Sequence, residues 1–280
     1  MRTRQDFDRR RSTTPGASPR SAVRLALDAL RTVAGLGLFG MMGLLWAPFA
    51  LLLHALLPAR LARRLGRRLI HVGFRGYLRV LAALGACRFD LGALDALREQ
   101  GPMIIAPNHP SLIDALLVIS RLRAPACVMK SSILGNPVLG AGARLAGYIG
   151  NDDLRRMIDL AVEDLRDGYQ LLLFPEGTRS RVAPIGPVKG MVGLIAKRAG
   201  VPVQTVLIET DSNFLGKSWN WRDIPRLPIT YRVRLGPRLP PPAHAQEFVA
   251  ELETCYRRAL RDALPALPRA GFGHDHDPHA

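Results

Sequence analysis

Cysteine is scarce in this 280-residue chain: Cys87, Cys127 and Cys255 stand far apart, with no CxxC pair. That argues against a disulfide framework or a cysteine zinc site and fits a reducing compartment, with three packed thiols as the plain expectation. Aromatics are scarce too, at 6%, and lysine is rare beside arginine. Acidic residues number 23 against 39 basic ones, leaving a net charge of +16. Hydrophobic residues make up 48%, ample for a core, and the length suits one catalytic domain with a modest appendage. No internal repeat is visible.

A further absence is local. From Thr32 to Ala59 there is no Asp, Glu, Lys or Arg, and only His54 can titrate. The stretch is longer than the roughly 20 residues a helix needs to span a bilayer. It is too long and starts too far into the chain for a cleaved signal peptide. Arginines flank both ends (Arg20, Arg24 and Arg31 before it, Arg60, Arg63, Arg64, Arg67 and Arg68 after), so the positive-inside bias gives no direction. Pro48 interrupts the run, where it would break or kink a helix. Two arrangements follow: a single tilted span, or a helix that bends near Trp46 to Phe49 and returns, with arginines on anionic headgroups at both ends. The second is the reading favoured.

The basic surplus sits mainly in the first hundred residues. Residues 1–22 are polar and Arg-rich and are expected to form a disordered basic arm; 23–86 are expected to form membrane-associating helices. Within them, 61–86 alternates arginines with apolar residues as a basic amphipathic helix does. Nucleic acid could bind such a helix, but the apolar run beside it favours lipid, and no nucleic-acid partner is expected. The tail 266–280, with His274, His276 and His279, could hold a metal adventitiously; its chain-end position and Gly/Pro content point to disorder.

Beyond residue 100 short apolar runs alternate with helical patterns. Strands are expected at 103–106, 126–129, 171–174, 203–208 and 229–235. Helices are expected at 111–121 behind a Ser111 cap, at 133–145, at 154–166 stopped by Gly168, at 188–199 stopped by Gly200, and at 246–260. The alternation implies an α/β catalytic domain over 87–265, its mainly parallel sheet covered by helices on both faces.

Two clusters follow apolar strands. In Pro107-Asn108-His109-Pro110-Ser111-Leu112-Ile113-Asp114, the five-residue offset lets Asp114 fold back onto His109. A carboxylate so placed orients the ring, fixes its tautomer and stabilises the imidazolium formed when the ring takes a proton. A lone His beside a capping Ser is also an ordinary helix-start arrangement, and spacing alone does not separate the two. In Phe174-Pro175-Glu176-Gly177-Thr178-Arg179-Ser180, a tight turn offers backbone amides and an arginine fork suited to phosphate. Alone, it is equally an ordinary turn with a solvated Arg.

Together the two motifs, about 65 residues apart, resemble the glycerolipid acyltransferase family that includes 1-acylglycerol-3-phosphate and lysophospholipid acyltransferases, over roughly 85–240. The resemblance implies His109 as general base and Asp114 as its partner. It implies Asn108, Glu176, Gly177, Thr178 and Arg179 at the acceptor, and Lys130 on an acceptor phosphate. It also implies N-terminal helices that bind one face of a membrane. The acyl donor would be acyl-CoA or acyl-carrier protein, the acceptor a lipid, with no metal and no organic cofactor. The setting would be the inner membrane, with the catalytic domain on its cytoplasmic side. Two departures stand out. Asp153, in Gly147 to Asp153, falls near where the family has an Arg, and Val201-Pro202-Val203-Gln204-Thr205 lacks a second Pro. The first leaves room for a different acceptor, such as an ornithine-type lipid or a polyketide or polyene chain. A non-catalytic basic membrane or nucleic-acid binding protein is the alternative of another class.

Overall fold

The computed structural model describes residues 21–180 and 185–261. The basic arm as far as residue 20 and the whole 266–280 tail lie outside the described residues.

Two long helices come first. Helix α1 (Ala22–Leu56) starts where the Ser21 hydroxyl accepts the Arg24 amide at 3.3 Å. Helix α2 (Ala59–Ala83) follows at once. The bend expected near Trp46 to Phe49 is not there: α1 runs through Pro48, and the chain turns at Leu57 and Pro58 instead. Proline costs α1 one backbone hydrogen bond. Packing offsets that cost, because Ala47 and Ala50, on either side of Pro48, are buried with Ala62, Ala141 and Leu145. One 18-residue window of α1 has mean hydropathy 2.0 and is only 11% buried, so by length and composition α1 could cross a membrane.

The basic amphipathic helix expected at 61–86 is α2, and it docks on the α/β domain that follows. Its Gly66 meets the chain so closely that a Cβ there would lie 2.6 Å from the Ala146 amide nitrogen. One residue on, Arg67 is wholly buried. Its Nη2 donates to both oxygens of Asp164 at 2.8 and 2.9 Å, its Nε donates to the Ala146 carbonyl, and its guanidinium lies 4.4 Å from the Tyr169 ring centroid. One turn later His71 Nδ1 meets the Ile119 carbonyl at 3.0 Å.

The α/β domain then runs β1 (Cys87–Asp90), a 3-10 turn (Gly92–Leu97), β2 (Ile104–Pro107), α3 (Asp114–Ile119), β3 (Ala126–Met129), α4 (Ser131–Leu134) and α5 (Leu139–Leu145). It continues through β4 (Ile149–Gly150), α6 (Leu154–Arg166), β5 (Leu171–Leu172), α7 (Met191–Ala199), β6 (Val203–Thr210), β7 (Ile229–Leu239) and α8 (Ala245–Arg261). The seven strands form one sheet in the order β1-β7-β6-β2-β5-β3-β4. Every pairing is parallel except β6 with β7, so the mainly parallel α/β fold is as expected. A core on one face gathers α2 and α3 against the sheet (Tyr77, Leu81, Leu117, Ile105); the core on the other gathers α6, α7 and α8 (Met157, Ile195, Leu252, Ile104). Helices thus cover both faces.

Several boundaries differ from expectation. Ser111 does not cap a helix through Arg121: α3 starts at Asp114, and the Ser111 hydroxyl donates to the Phe214 carbonyl instead. The helix expected at 133–145 is two, parted at Gly135 to Val138, where Asn136 Oδ1 accepts the Val138 and Leu139 amides. The apolar run 171–174 is strand only over Leu171–Leu172, because the chain must turn to bring Phe174 beneath the site.

Candidate active site

Strands β2 to β6 run parallel and point their carboxyl ends to one edge of the sheet, where α/β folds hold their reactive groups. His109 leaves β2 there, the Phe174–Ser180 segment leaves the neighbouring β5, and Lys130 leaves β3. The β6–β7 connection returns at the same edge, since those two strands are antiparallel.

His109 Nδ1 and Asp114 Oδ2 lie 2.8 Å apart. A carboxylate only accepts, so Nδ1–H donates, which in the neutral ring leaves the lone pair on Nε2. The same Oδ2 accepts the Ser111 amide at 2.7 Å, while Oδ1 is buried without a partner among the described residues. Asp114 is completely buried, and burial is the main force raising its carboxyl above the ordinary 3.8. The hydrogen bond and charge of His109 and the Ser111 amide pull the other way, and the charge of Glu176 adds to the rise.

The second motif holds His109 in place. Phe174 stacks on the imidazole, with centroids 3.9 Å apart and planes inclined by 23°. Glu176 Oε1 accepts the His109 amide at 3.2 Å, and the Ser180 amide donates to the His109 carbonyl at 2.8 Å. Glu176, itself buried, also accepts from the Ser180 hydroxyl at 2.6 Å and from the Gly186 amide at 2.8 Å. Three donors thus converge on its two oxygens, so the carboxylate the resemblance assigned to the acceptor acts here as a brace.

Asn108 is a brace of the same kind. Its Nδ2 donates to the Ile208 carbonyl at 3.0 Å and its Oδ1 accepts the Ile208 amide at 2.7 Å, which locks β2 to β6 just before the histidine. Tyr256 of α8 donates its hydroxyl to the Ala106 carbonyl on the same strand.

The remaining candidates form the outer part of the site. Arg179 Nη1 donates to the Leu215 and Gly216 carbonyls at 2.8 and 2.9 Å, and Lys217 Nζ donates to Thr178 Oγ1 at 2.8 Å. Gly177 takes a positive φ of 65°, which a side chain would strain, and its amide is spent on the Phe174 carbonyl at 3.0 Å. Lys189 packs over the turn, with Nζ 3.0 Å from where a Gly177 Cβ would stand. Lys130 is exposed, about two strand spacings or roughly 10 Å from β2. Sequence reading missed Lys189 and the 211–217 segment. Phe174 and Ser180 stood inside the quoted motif, so their part could have been suspected, whereas nothing in the sequence marks the Leu215 and Gly216 carbonyls.

Asp153, the departure from the family pattern, caps α6 by accepting the Arg156 amide at 3.0 Å. Asp152 accepts the Ser131 hydroxyl at 2.5 Å. Among the described residues no group of three or more His, Cys, Asp and Glu could hold a metal.

Comparison with known proteins finds a likeness that spans both motifs. The Acyltransferase family model matches residues 88–209. A lyso-ornithine lipid O-acyltransferase of Rhodobacter capsulatus is 27% identical over 274 residues, covering 88% of this chain and 94% of its own. A 1-acyl-sn-glycerol-3-phosphate acyltransferase of Pseudomonas aeruginosa is 23% identical over 232 residues, 81% of this chain and 87% of its own. Other relatives are longer: the chain spans 36% of a chloroplastic 1-acyl-sn-glycerol-3-phosphate acyltransferase of Brassica napus. The crystal structure of PlsC from Thermotoga maritima shares the fold, with a TM-score of 0.69 at 20% identity over 88% of this chain and all of that one. The matching domain spans both motifs, and these likenesses together support the glycerolipid acyltransferase superfamily for this chain.

Proposed function

We propose that this protein is a membrane-associated O-acyltransferase. It moves a fatty acyl group from acyl-CoA or acyl-carrier protein to the hydroxyl of a lysophospholipid, with 1-acylglycerol-3-phosphate as the first choice, in phospholipid synthesis. The observation that carries this reading is the His109–Asp114 pair at 2.8 Å, with the His109 backbone held from both sides by the second motif.

In the reaction, His109 Nε2 takes the acceptor's hydroxyl proton as that oxygen attacks the thioester carbonyl. Asp114 stabilises the imidazolium that results. The tetrahedral adduct collapses, the C–S bond breaks, and the imidazolium returns its proton to the departing sulfur. No enzyme nucleophile intervenes. Burial pushes the Cys87 and Cys127 thiols up to about 12, so neither is a thiolate at neutral pH. The Ser111 hydroxyl is committed to Phe214. Arg179, Lys189 and Lys130 supply positive charge for an anionic head group. The amide of Gly177 itself does not serve as an oxyanion donor, being held by Phe174.

Helix α1, apolar and largely uncovered, lies along α5 and α2 and holds the chain on the membrane. The docking of α2 through Arg67 and His71 favours a helical hairpin seated on one face, and the proposal sets the catalytic domain on the cytoplasmic side. Three free cysteines suit that compartment.

A second reading has specific support. The Rhodobacter capsulatus relative that aligns over 88% of this chain is named for lyso-ornithine lipid, and Asp153 falls near where the family pattern has an Arg. Purified protein assayed with both donors against lysophosphatidate and lyso-ornithine lipid separates the two. Turnover of lysophosphatidate is expected; turnover of lyso-ornithine lipid alone would replace the first reading with the second. His109→Ala should lower the rate by about 10²–10⁴-fold, and an unchanged rate would refute the mechanism for either acceptor.

A further inference from the structure

From Cys87 to Leu260 only four large apolar side chains are exposed among the described residues: Leu112, Leu139, Leu154 and Trp221. Scattered singly over a surface, such residues would mean little. They are not scattered. Leu112 lies between β2 and α3, Leu139 opens the second helix of the β3–β4 crossover, Leu154 opens α6 just after β4, and Trp221 lies between β6 and β7. Each belongs to a connection that leaves the carboxyl end of a strand, so all four share the edge that carries His109. The opposite edge has none.

Trp221 is the most exposed of them, at 76%. The loop that bears it is held rather than loose. Trp219 Nε1 donates to the Asp223 carbonyl at 3.0 Å, the Trp219 ring meets Phe214 edge-on at 5.1 Å, and Asp211 Oδ1 accepts the Thr230 amide. These contacts present Trp221 outward, with the Arg222 guanidinium 5.2 Å from its ring centroid. An exposed indole beside a cation is the pairing that favours a membrane–water interface: the ring settles at headgroup depth and the guanidinium reaches phosphate.

The acids on this edge are turned to local donors. Asp152 accepts from Ser131, Asp153 from the Arg156 amide, and Asp223 from the Asn220 amide. The rim also runs into the apolar helix, since a Cβ at Gly43 of α1 would lie 3.6 Å from Leu139 Cδ2.

We propose that the carboxyl edge of the catalytic domain is itself a membrane-contact face, with Trp221 as its anchor in an anionic phospholipid surface. An acceptor then reaches His109 directly from the lipid layer. The inference rests on the membrane-associated reading above, in which α1 brings the chain to the bilayer.

The test uses the full-length protein on phosphatidylcholine vesicles containing phosphatidylglycerol. The chain has three tryptophans, so subtracting the emission of Trp221→Phe from that of the wild type isolates Trp221. The difference spectrum should shift to the blue on vesicle binding and be quenched by lipids brominated near the headgroup end of the acyl chain. A Trp221 that stays water-like and unquenched while the protein is vesicle-bound would overturn this inference alone; failure to bind vesicles at all would overturn the membrane-associated reading with it. In parallel, Trp221→Ala should lower the ratio of rates on vesicle-borne and monomeric short-chain acceptors several-fold, with Trp221→Phe keeping most of it. An unchanged ratio in Trp221→Ala counts against the anchor. The fluorescence arm needs no turnover, so it is decided whatever the acceptor proves to be.

Discussion

Glu176 is where the geometry and the family resemblance part company, and Glu176→Gln decides between them. The buried carboxylate accepts from the His109 amide, the Ser180 hydroxyl and the Gly186 amide. A carboxamide keeps one acceptor oxygen and puts an NH2 where the other was, so an amide donor faces another donor whichever way it turns. Leaving one buried N–H unpaired costs about 1–3 kcal/mol. For a domain of this size each kcal/mol moves Tm by about 2–4 °C, so the middle of that range predicts a drop of about 4–8 °C. The His109 ring rides on the backbone that Glu176 holds, and a misplacement near 1 Å can cost about 10²-fold in rate. The brace therefore predicts a lower Tm and a lower kcat together, with the acceptor KM little changed. Differential scanning fluorimetry in detergent and steady-state kinetics measure all three. A variant with the wild-type Tm and kcat but a tenfold higher acceptor KM would refute the brace and restore Glu176 as an acceptor contact.

Asp114→Asn should separate stability from activity. The folded carboxyl holds its proton more tightly than the unfolded chain does, so the stability it contributes is present below about pH 3.8 and lost as pH rises through the folded value. Removing that titration should flatten the pH dependence of stability above pH 3.8, while kcat falls about 10²–10⁴-fold; a profile as steep as that of the wild type would contradict the account of burial. Arg67→Met leaves the buried Asp164 with only the looser Arg63 contact at 3.9 Å and should cost up to about 3–5 kcal/mol in denaturant unfolding, whereas Arg67→Met combined with Asp164→Leu should recover most of it. If the double variant unfolds as easily as the single one, Arg67 stabilises through the Ala146 and Tyr169 contacts instead.

Sequence and structure agree best where local pattern decides. Strand β3 and helix α6 fall where expected, because a four-residue apolar run and a strong amphipathic period leave few alternatives. Strand β1 was missed: Cys87–Asp90 reads as polar, and only its pairing with β7, more than 140 residues on, makes it a strand. Strand β4 is two residues long and carries no pattern at all. The uninterrupted α1 had to be misread, because the alanines that hold it straight at Pro48 pack against residues near 141–145. The site divides in the same way. The His109–Asp114 contact spans five residues and was legible as an offset. The His109 amide that Glu176 holds, the Ile208 backbone that Asn108 holds and the Leu215 carbonyl that Arg179 holds lie 67, 100 and 36 residues away, so this bracing work could only appear once the chain was folded.

The acidic stretch at 151–153 also weighs differently once it is placed. In the sequence, Asp153 falls near where the family has an Arg, and an acid beside a phosphate is unfavourable. In the fold, β4 lies three strands from β2, about 14 Å at the usual spacing. Asp152 is fully exposed; its hydrogen bond to Ser131 holds its carboxyl below the ordinary 3.8, so it is charged, yet it faces solvent. At a Debye length of about 8 Å, an exposed charge that far from the histidine is largely screened. The positive groups stand nearer. Lys189 packs over the Gly177 turn, Lys217 reaches Thr178, and Arg179 comes from the same turn, one strand from His109. Close cations outweigh a distant, screened acid, so the departure at Asp153 counts less against a phosphate-bearing acceptor than its position in the sequence suggests.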